Sequence, residues 1–123
     1  MSLTPYLGVT DSRAAIEWYR EVFEATVKGK PYVMDDGRVG HLELIISGSL
    51  LMMADPFPEV NVEPPDPSSG APVSLHLAVP DCDAVAAAAV RNGAKLDRGP
   101  ESTEHGRSAT FHDPFGHRWI INS

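Results

Sequence analysis

The sequence predicts an α+β domain built from two repeated modules, each consisting of a strand, a helix and then further strands. Three observations predict it: a repeat at a fixed offset, an amphipathic helix after each copy of the repeat, and alternating strand-like segments after each helix. The chain has 123 residues, of which 42% are hydrophobic and 22% are charged, and this is enough for one compact core. We therefore expect a single domain over residues 1–123.

The repeat consists of matching segments about 70 residues apart. Leu-Gly-Val-Thr-Asp at 7–11 matches Leu-Ala-Val-Pro-Asp at 77–81, and Gly-Arg pairs at 37–38 and 106–107 each introduce a strand-like segment. Six of the 11 prolines lie between these halves, where they interrupt any strand ladder or helix. The predicted division is module 1 at about 3–55, a Pro-rich linker at 56–72 and module 2 at about 73–123.

A helix is predicted after each copy of the repeat. In module 1, apolar residues recur at helical spacing from Ala15 to Phe23, and Asp11 or Ser12 supplies the N-cap. In module 2, the helix runs from about Asp83 to Val90, and Asn92-Gly93 is suited to a left-handed stop. Each helix is expected to cover one face of the strands in its module.

Strand alternation predicts which side chains face away from the helices, because successive side chains point to opposite sides of a sheet. From Val39 onward, the apolar set that a helix would cover is Leu42, Leu44 and Ile46. A solvated sheet face also alternates, but it usually carries Lys, Glu, Thr and Ser. The faces opposite the apolar sets instead collect candidate ligand-binding groups with no Lys or Arg among them: Tyr6, His41, Glu43, Ser74, His76 and His112.

Charge and composition limit the classes of binding partner and the cellular location that we expect. The formal net charge of -7 would repel a polyanion, so we expect no nucleic-acid partner. Cys82 is the only cysteine, which excludes an internal disulfide framework. No apolar run approaches the roughly 18 residues of a membrane span, and residues 1–5 lack the regions of a signal peptide. The sequence therefore predicts a cytoplasmic protein that binds no membrane.

Several segments together resemble the vicinal-oxygen-chelate superfamily of glyoxalases, bleomycin resistance proteins and extradiol dioxygenases. They are Tyr-Leu-Gly-Val-Thr-Asp at 6–11 with Ala-Ile-Glu-Trp-Tyr at 15–19, Leu-His-Leu-Ala-Val-Pro-Asp at 75–81 with Asn-Gly-Ala at 92–94, and Asp-Pro-Phe-Gly at 113–116. The resemblance covers nearly the whole chain. It implies two βαβββ modules forming a cup-shaped, mostly antiparallel eight-stranded sheet around a small-molecule cavity, and a homodimer.

The resemblance also implies where a metal ion would bind, and there the chain departs from the pattern. Metal-dependent members place a His early in the first strand of each module and a Glu in the last strand of each module. The matching positions are Thr4, Ser74, Ile120 and one residue within Leu51 to Met53, and none is a good ligand for a divalent metal. We therefore predict no metal and no other cofactor, as in the metal-ligand-poor, glyoxalase-like branch of the superfamily.

Three functions remain open at this point. The leading hypothesis is a small-molecule-binding protein that either sequesters a toxic compound or performs acid–base chemistry with Glu43 and His76 as catalytic residues. The alternative is a divalent-metal-dependent lyase, isomerase or dioxygenase with ligands displaced to His41, Glu43, His76 and His112. The third is an interaction protein whose cavity is vestigial. The functional interpretation depends on the convergence on one concave wall of Tyr6, His41, Glu43, His76 and His112.

Overall fold

The computed structural model describes residues 1–123 and divides into two compact units, Met1–Pro64 and Pro65–Ser123. Each unit has a strand, a helix and three further strands, which confirms the α+β class and both βαβββ modules. Module 1 contains β1 (Tyr6–Gly8), α1 (Ser12–Phe23), β2 (Thr26–Val33), β3 (Val39–Ile46) and β4 (Ser49–Ala54). Module 2 contains β5 (Ser74–Ala78), α2 (Cys82–Arg91), β6 (Lys95–Thr103), β7 (Gly106–His112) and β8 (Arg118–Asn122).

The eight strands form two four-stranded sheets, one in each module. The strand orders are β1-β4-β3-β2 and β5-β8-β7-β6. In each sheet the first strand of the module pairs in parallel with the last, and the other two ladders are antiparallel. Hydrogen bonding thus gives two mixed sheets with the same topology, in place of one continuous eight-stranded sheet.

The repeated aspartates begin both helices. The side chain of Asp11 accepts hydrogen bonds from the backbone N–H groups of Arg13 and Ala14 at the start of α1. The side chain of Asp81 accepts one from the N–H of Ala84 at the start of α2. These N-caps satisfy donors that have no partner within the helix. Neither helix is long and apolar enough to cross a membrane.

The apolar side of α1 packs against β3, as the alternation predicted. Leu42, Leu44 and Ile46 of β3 are buried, whereas His41, Glu43 and Ile45 between them are half-buried. Burying a large apolar side chain stabilises the fold by about 1.5–3 kcal/mol, so this interface fixes which face of the sheet the helix covers. The buried apolar residues that α1 contributes are Ala15, Trp18, Tyr19, Val22 and Phe23.

Small residues let α2 lie close to the second sheet. Ala86 and Ala89 are buried on α2, which packs against β6, β7 and β8. Cys82, at the start of the same helix, is buried and donates to the carbonyl of Ile121 at 3.8 Å. Burial raises the pKa of the Cys82 thiol, so this residue is a small packing group and not a reactive thiolate.

The Pro-rich segment between the modules has some regular structure. Pro58–Val60 forms a short 3-10 helix, and an isolated bridge pairs Phe57 with Val62. The boundary between the two units, after Pro64, lies within the predicted linker at 56–72. The prolines therefore prevent a longer helix or strand here without excluding a local turn.

A buried carboxylate connects α1 to β3. Oδ1 of Asp55 accepts from the backbone N–H of Ser12 at 2.8 Å, and Oδ2 accepts from that of Val39 at 2.7 Å. Burial of the carboxyl group is the largest single effect and raises its pKa, but the hydrogen bonds from Val39 and Ser12 and the charge of Arg13 together outweigh it, and the pKa of Asp55 is lowered. The ionised form is therefore the one that stabilises the fold.

Replacing Asp55 with Ala is expected to lower the free energy of unfolding by about 2–3 kcal/mol, because two N–H groups lose their acceptor. Since the pKa is lowered on folding, this stabilisation is present above the pKa of an unfolded Asp and is lost as the pH falls through the lower, folded value. Urea unfolding at a series of pH values measures both effects. Asp35→Ala, at an exposed carboxylate, is the matched control; equal losses in the two variants would contradict the assignment.

Candidate functional site

All six predicted site residues lie on the sheet faces that the helices do not cover. We call these the first helix-free face, which carries Tyr6, His41 and Glu43, and the second helix-free face, which carries Ser74, His76 and His112. Residues directly opposite in a ladder share a face, and Tyr6 and Glu43 are both paired with Met52. In the same way Ser74 and His112 are both paired with Arg118. The predicted alternation is confirmed, whereas ligand binding and the convergence of the two groups on one wall stay predictions.

The first helix-free face contains a continuous chain of hydrogen bonds. The hydroxyl of Tyr6 lies 2.9 Å from Nδ1 of His41, and Nε2 of His41 lies 2.9 Å from Oε2 of Glu43. The Tyr6 hydroxyl also donates to the carbonyl of Gly40 at 3.3 Å. The two rings are tilted by 36° with centroids 5.4 Å apart. Strand β3 supplies His41 and Glu43 two residues apart, and β1 brings Tyr6 beside them.

The hydrogen-bonded chain of Tyr6, His41 and Glu43 can accept a proton without losing a hydrogen bond. When the imidazole is neutral, Nε2–H donates to Glu43 and the Tyr6 hydroxyl donates to Nδ1. When it is protonated, Nδ1–H donates to the Tyr6 oxygen and the hydroxyl proton turns to the carbonyl of Gly40. Partial burial raises the pKa of Tyr6, so the phenol stays protonated at neutral pH. The arrangement is suited to holding His41 in place while it gives or takes a proton.

Apolar side chains border the hydrogen-bonded chain on the same face. Met52 lies directly opposite Glu43, and Leu50 lies opposite Ile45. All three apolar residues are half-buried. Met52 therefore adds a flexible apolar contact beside the polar groups, whereas Met53, one residue on, is fully buried core.

The second helix-free face holds three predicted residues in different settings. Nδ1 of His112 is 2.5 Å from Oδ2 of Asp97, and Oγ of Ser74 accepts from a guanidinium N–H of Arg118 at 2.7 Å. His76 is exposed and makes no hydrogen bond or ion pair. Asp97 and Arg118 were not predicted as site residues. Asp97 is difficult to predict from the sequence, because it lies in an irregularity of β6 where side chains do not alternate regularly.

The strand register identifies the four positions at which the superfamily pattern implies metal ligands. Met52 in β4 and Ile120 in β8 are equivalent, because they are paired with Tyr6 and His76, which the 70-residue repeat relates. The full set of positions is then Thr4, Met52, Ser74 and Ile120. Hydroxyl, thioether and alkyl groups are poor donors for a divalent metal, so these residues do not fit the implied ion. No group of three or more His, Cys, Asp or Glu side chains is arranged to hold a metal ion elsewhere in the chain.

A shallow cavity of about 400 Å³ lies elsewhere in module 2, between α2 and β6. Its lining is mainly apolar and includes Val90, Leu96 and Pro100. None of the predicted site residues borders it. The predicted site residues therefore lie outside this cavity.

The architecture and the polar helix-free faces define a class, the proteins built from paired βαβββ modules. The family model of the Glyoxalase/Bleomycin resistance protein/Dioxygenase superfamily matches residues 3–121, and the chain belongs to this superfamily. The resemblance found in the sequence is thereby confirmed.

Individual relatives agree with this assignment. Protein Rv0887c of Mycobacterium tuberculosis is 34% identical over 124 residues, which cover 98% of this chain and 72% of that protein. The product of AT5G48480 from Arabidopsis thaliana has a similar structure, with a TM-score of 0.76, 25% identity and coverage of 100% and 98% of the two chains. A glyoxalase/bleomycin resistance protein from Streptomyces sp. CB03234 has a TM-score of 0.65 and 25% identity, with coverage of 99% of this chain and 100% of that one.

Removing the Tyr6 hydroxyl tests whether the hydrogen-bonded chain forms in solution. Tyr6→Phe is expected to lower the free energy of unfolding by about 0.5–1 kcal/mol, because a partly exposed hydrogen bond is lost. Tyr32→Phe is the matched control, since Tyr32 is paired with His41 across the ladder but its hydroxyl has no partner. Urea unfolding compares the two. A loss in the Tyr6 variant no larger than in the control would contradict the observed contact.

Proposed function

We propose that the chain binds a small organic molecule on the first helix-free face and that Glu43, His41 and Tyr6 recognise it and exchange a proton with it. The observation that supports this proposal is the hydrogen-bonded chain from Glu43 through His41 to Tyr6. Tyr6, at its outer end, is 47% exposed. A half-buried carboxylate, an oriented imidazole and an accessible hydroxyl together are a common basis for acid–base chemistry.

Each member of the chain has a separate task in this proposal. Glu43 orients the imidazole of His41 through the contact between Oε2 and Nε2 at 2.9 Å. His41 takes a proton from the ligand, directly or through the hydroxyl of Tyr6. Tyr6 also donates a hydrogen bond to the ligand when its own proton is not directed at His41 or Gly40. The contact partner of Glu43 in the structure is His41, so we assign the acid–base pair to these two residues; a catalytic role for His76 stays a prediction.

The ligand contacts proposed here combine this polar chain with an apolar border. Ile45, Leu50 and Met52 lie on the same face and offer dispersion contacts to a flat or irregular molecule. Acidic overall charge and Glu43 favour a ligand with a hydrogen-bond donor or a positive charge at this face. The similar Streptomyces protein is described as a glyoxalase/bleomycin resistance protein, and sequestration of a toxic compound is accordingly one role within this proposal.

We further propose that the ligand is bound without a metal ion at the usual superfamily positions, because Thr4, Met52, Ser74 and Ile120 are poor donors. Metal analysis of the purified protein tests this part separately. Stoichiometric metal that is lost together with ligand binding in Glu43→Ala would favour the alternative of a metal-dependent enzyme with displaced ligands. Homodimerisation and the cytoplasmic location stay predictions.

A thermal-shift screen with small aromatic, amine and hydroxylated compounds tests the binding function. A compound that raises Tm is then titrated against wild type, Tyr6→Phe and Glu43→Gln by calorimetry. We expect each substitution to weaken binding by about tenfold, which is the loss of one hydrogen bond worth about 1.4 kcal/mol.

Matched controls separate this effect from a general change in stability. Glu21→Gln removes a carboxylate at an exposed position of α1, away from the hydrogen-bonded chain, and we expect unchanged affinity. Tyr32→Phe removes a hydroxyl that lies outside the hydrogen-bonded chain, although Tyr32 is paired with His41, so it should weaken binding less than Tyr6→Phe does. Equal affinity in all variants would contradict the proposed site. If no compound in a broad panel raises Tm, the hypothesis of an interaction protein without a functional binding site gains support.

A further inference from the structure

Arg118 is a half-buried residue, and its guanidinium has no carboxylate partner. Arg118 begins β8, and its one hydrogen bond is donated to Oγ of Ser74 at 2.7 Å. Arg13 and Arg91 also lack an ion pair, but both are exposed. The remaining arginines each form an ion pair with Asp or Glu: Arg20, Arg38, Arg98 and Arg107. Withdrawing a charge from water without a counter-ion is unfavourable, so an anionic partner at Arg118 would stabilise this arrangement.

A buried carboxylate holds the residues on both sides of Arg118. Oδ1 of Asp113 accepts from the N–H groups of Phe115 at 2.9 Å and His117 at 3.0 Å, and Oδ2 accepts from Nε1 of Trp119 at 2.9 Å. Asp113 is 4% exposed. The residues before and after Arg118 are thus attached to the same group, and the start of β8 is held in one position. A guanidinium on such a rigid base loses little further freedom when it binds a ligand.

The groups around Arg118 on the second helix-free face are hydrogen-bond donors or are already paired. Ser74 and His112 are its direct neighbours on the two adjacent strands, and His76 follows Ser74 on the same face. The acidic groups on this side are Asp97, which is bonded to His112, and Glu101, which is ion-paired with Arg98; both lie on β6, with β7 between them and β8. Lys95 is paired with His112 in the ladder and adds a second cation. Arg118 therefore has free N–H groups and no competing carboxylate in contact.

We infer that Arg118, with Ser74 and His76 beside it, forms a binding site for the oxyanion of a small molecule, either a carboxylate or a phosphoryl group. Guanidinium presents two parallel N–H groups that match the spacing of two oxygens in both kinds of anion. The hydroxyl of Ser74 orients the guanidinium from one side, and the exposed imidazole of His76 supplies a further donor. This site belongs to module 2 and does not depend on the proposed role of Tyr6, His41 and Glu43.

The net charge of -7 opposes long-range attraction of anions, so binding rests on these short-range contacts. For an isolated inorganic anion we expect a dissociation constant of about 1–10 mM, the range of a few directed hydrogen bonds.

Nuclear magnetic resonance of the ¹⁵N-labelled full chain tests the inference. Sodium phosphate and, separately, sodium acetate are titrated to about 50 mM at constant ionic strength, which removes general screening effects. We expect a saturable shift of the Nε–Hε signal of Arg118 and of the backbone amides of Ser74 and His76 with at least one anion. The Nε–Hε signal of Arg91 should not show a saturable shift.

Variants distinguish a binding site from a purely structural contact. Arg118→Lys keeps the charge but not the two parallel donors, and should weaken binding by about tenfold; Arg118→Gln should abolish it. Arg91→Gln is the matched control and should bind as wild type does. No saturable shift with either anion, or equal binding in wild type and Arg118→Lys, would overturn the inference. Because Arg118→Lys is a small change, this result is available even if Arg118→Gln does not fold.

Discussion

The structure depends on one constraint: each four-stranded sheet has two faces, and its module has a single helix to cover one of them. Burial of Leu42 and Leu44 beneath α1, and of Phe111 and Ile121 in module 2, commits one face of each sheet to the core. A shift of one residue in any strand would exchange the two faces, so packing of the helices also fixes the register. The polar groups that cannot enter the core are consequently collected on the helix-free faces.

This constraint explains how much the sequence predicted. The period of two in β3 was enough to assign His41 and Glu43 to the face opposite Leu42. Only one of the two faces of the strand can be buried, and the apolar residues occupy it. The same alternation in the segment before Asp81 assigned His76, and the 70-residue repeat transferred this assignment to Tyr6. Contacts between side chains on different strands were harder to predict from the sequence. That Tyr6 reaches His41 depends on β1 lying beside β4, and this pairing joins residues more than 40 positions apart in the chain.

Other groups escaped prediction because their role depends on exact register and local irregularity. Asp97 reaches His112 from an irregular part of β6, where alternation fails. Arg118 follows the Asp-Pro-Phe-Gly segment at 113–116 in the sequence, and the ladder places it between Ser74 and His112. Met52 became identifiable as the fourth superfamily position only from its pairing with Tyr6. In each case the sequence supplied the residue type, and the strand pairing supplied its neighbours.

The two modules share a topology but carry different chemistry on their helix-free faces. The first presents a carboxylate, an imidazole and a hydroxyl in series, and the second presents a guanidinium without a counter-ion. The most direct test of the central claim is a crystal structure of the chain with the screened compound whose binding is most sensitive to Tyr6→Phe. We predict a polar atom of that compound within about 3.2 Å of the Tyr6 hydroxyl, His41 or Glu43. A compound bound away from the first helix-free face would contradict it.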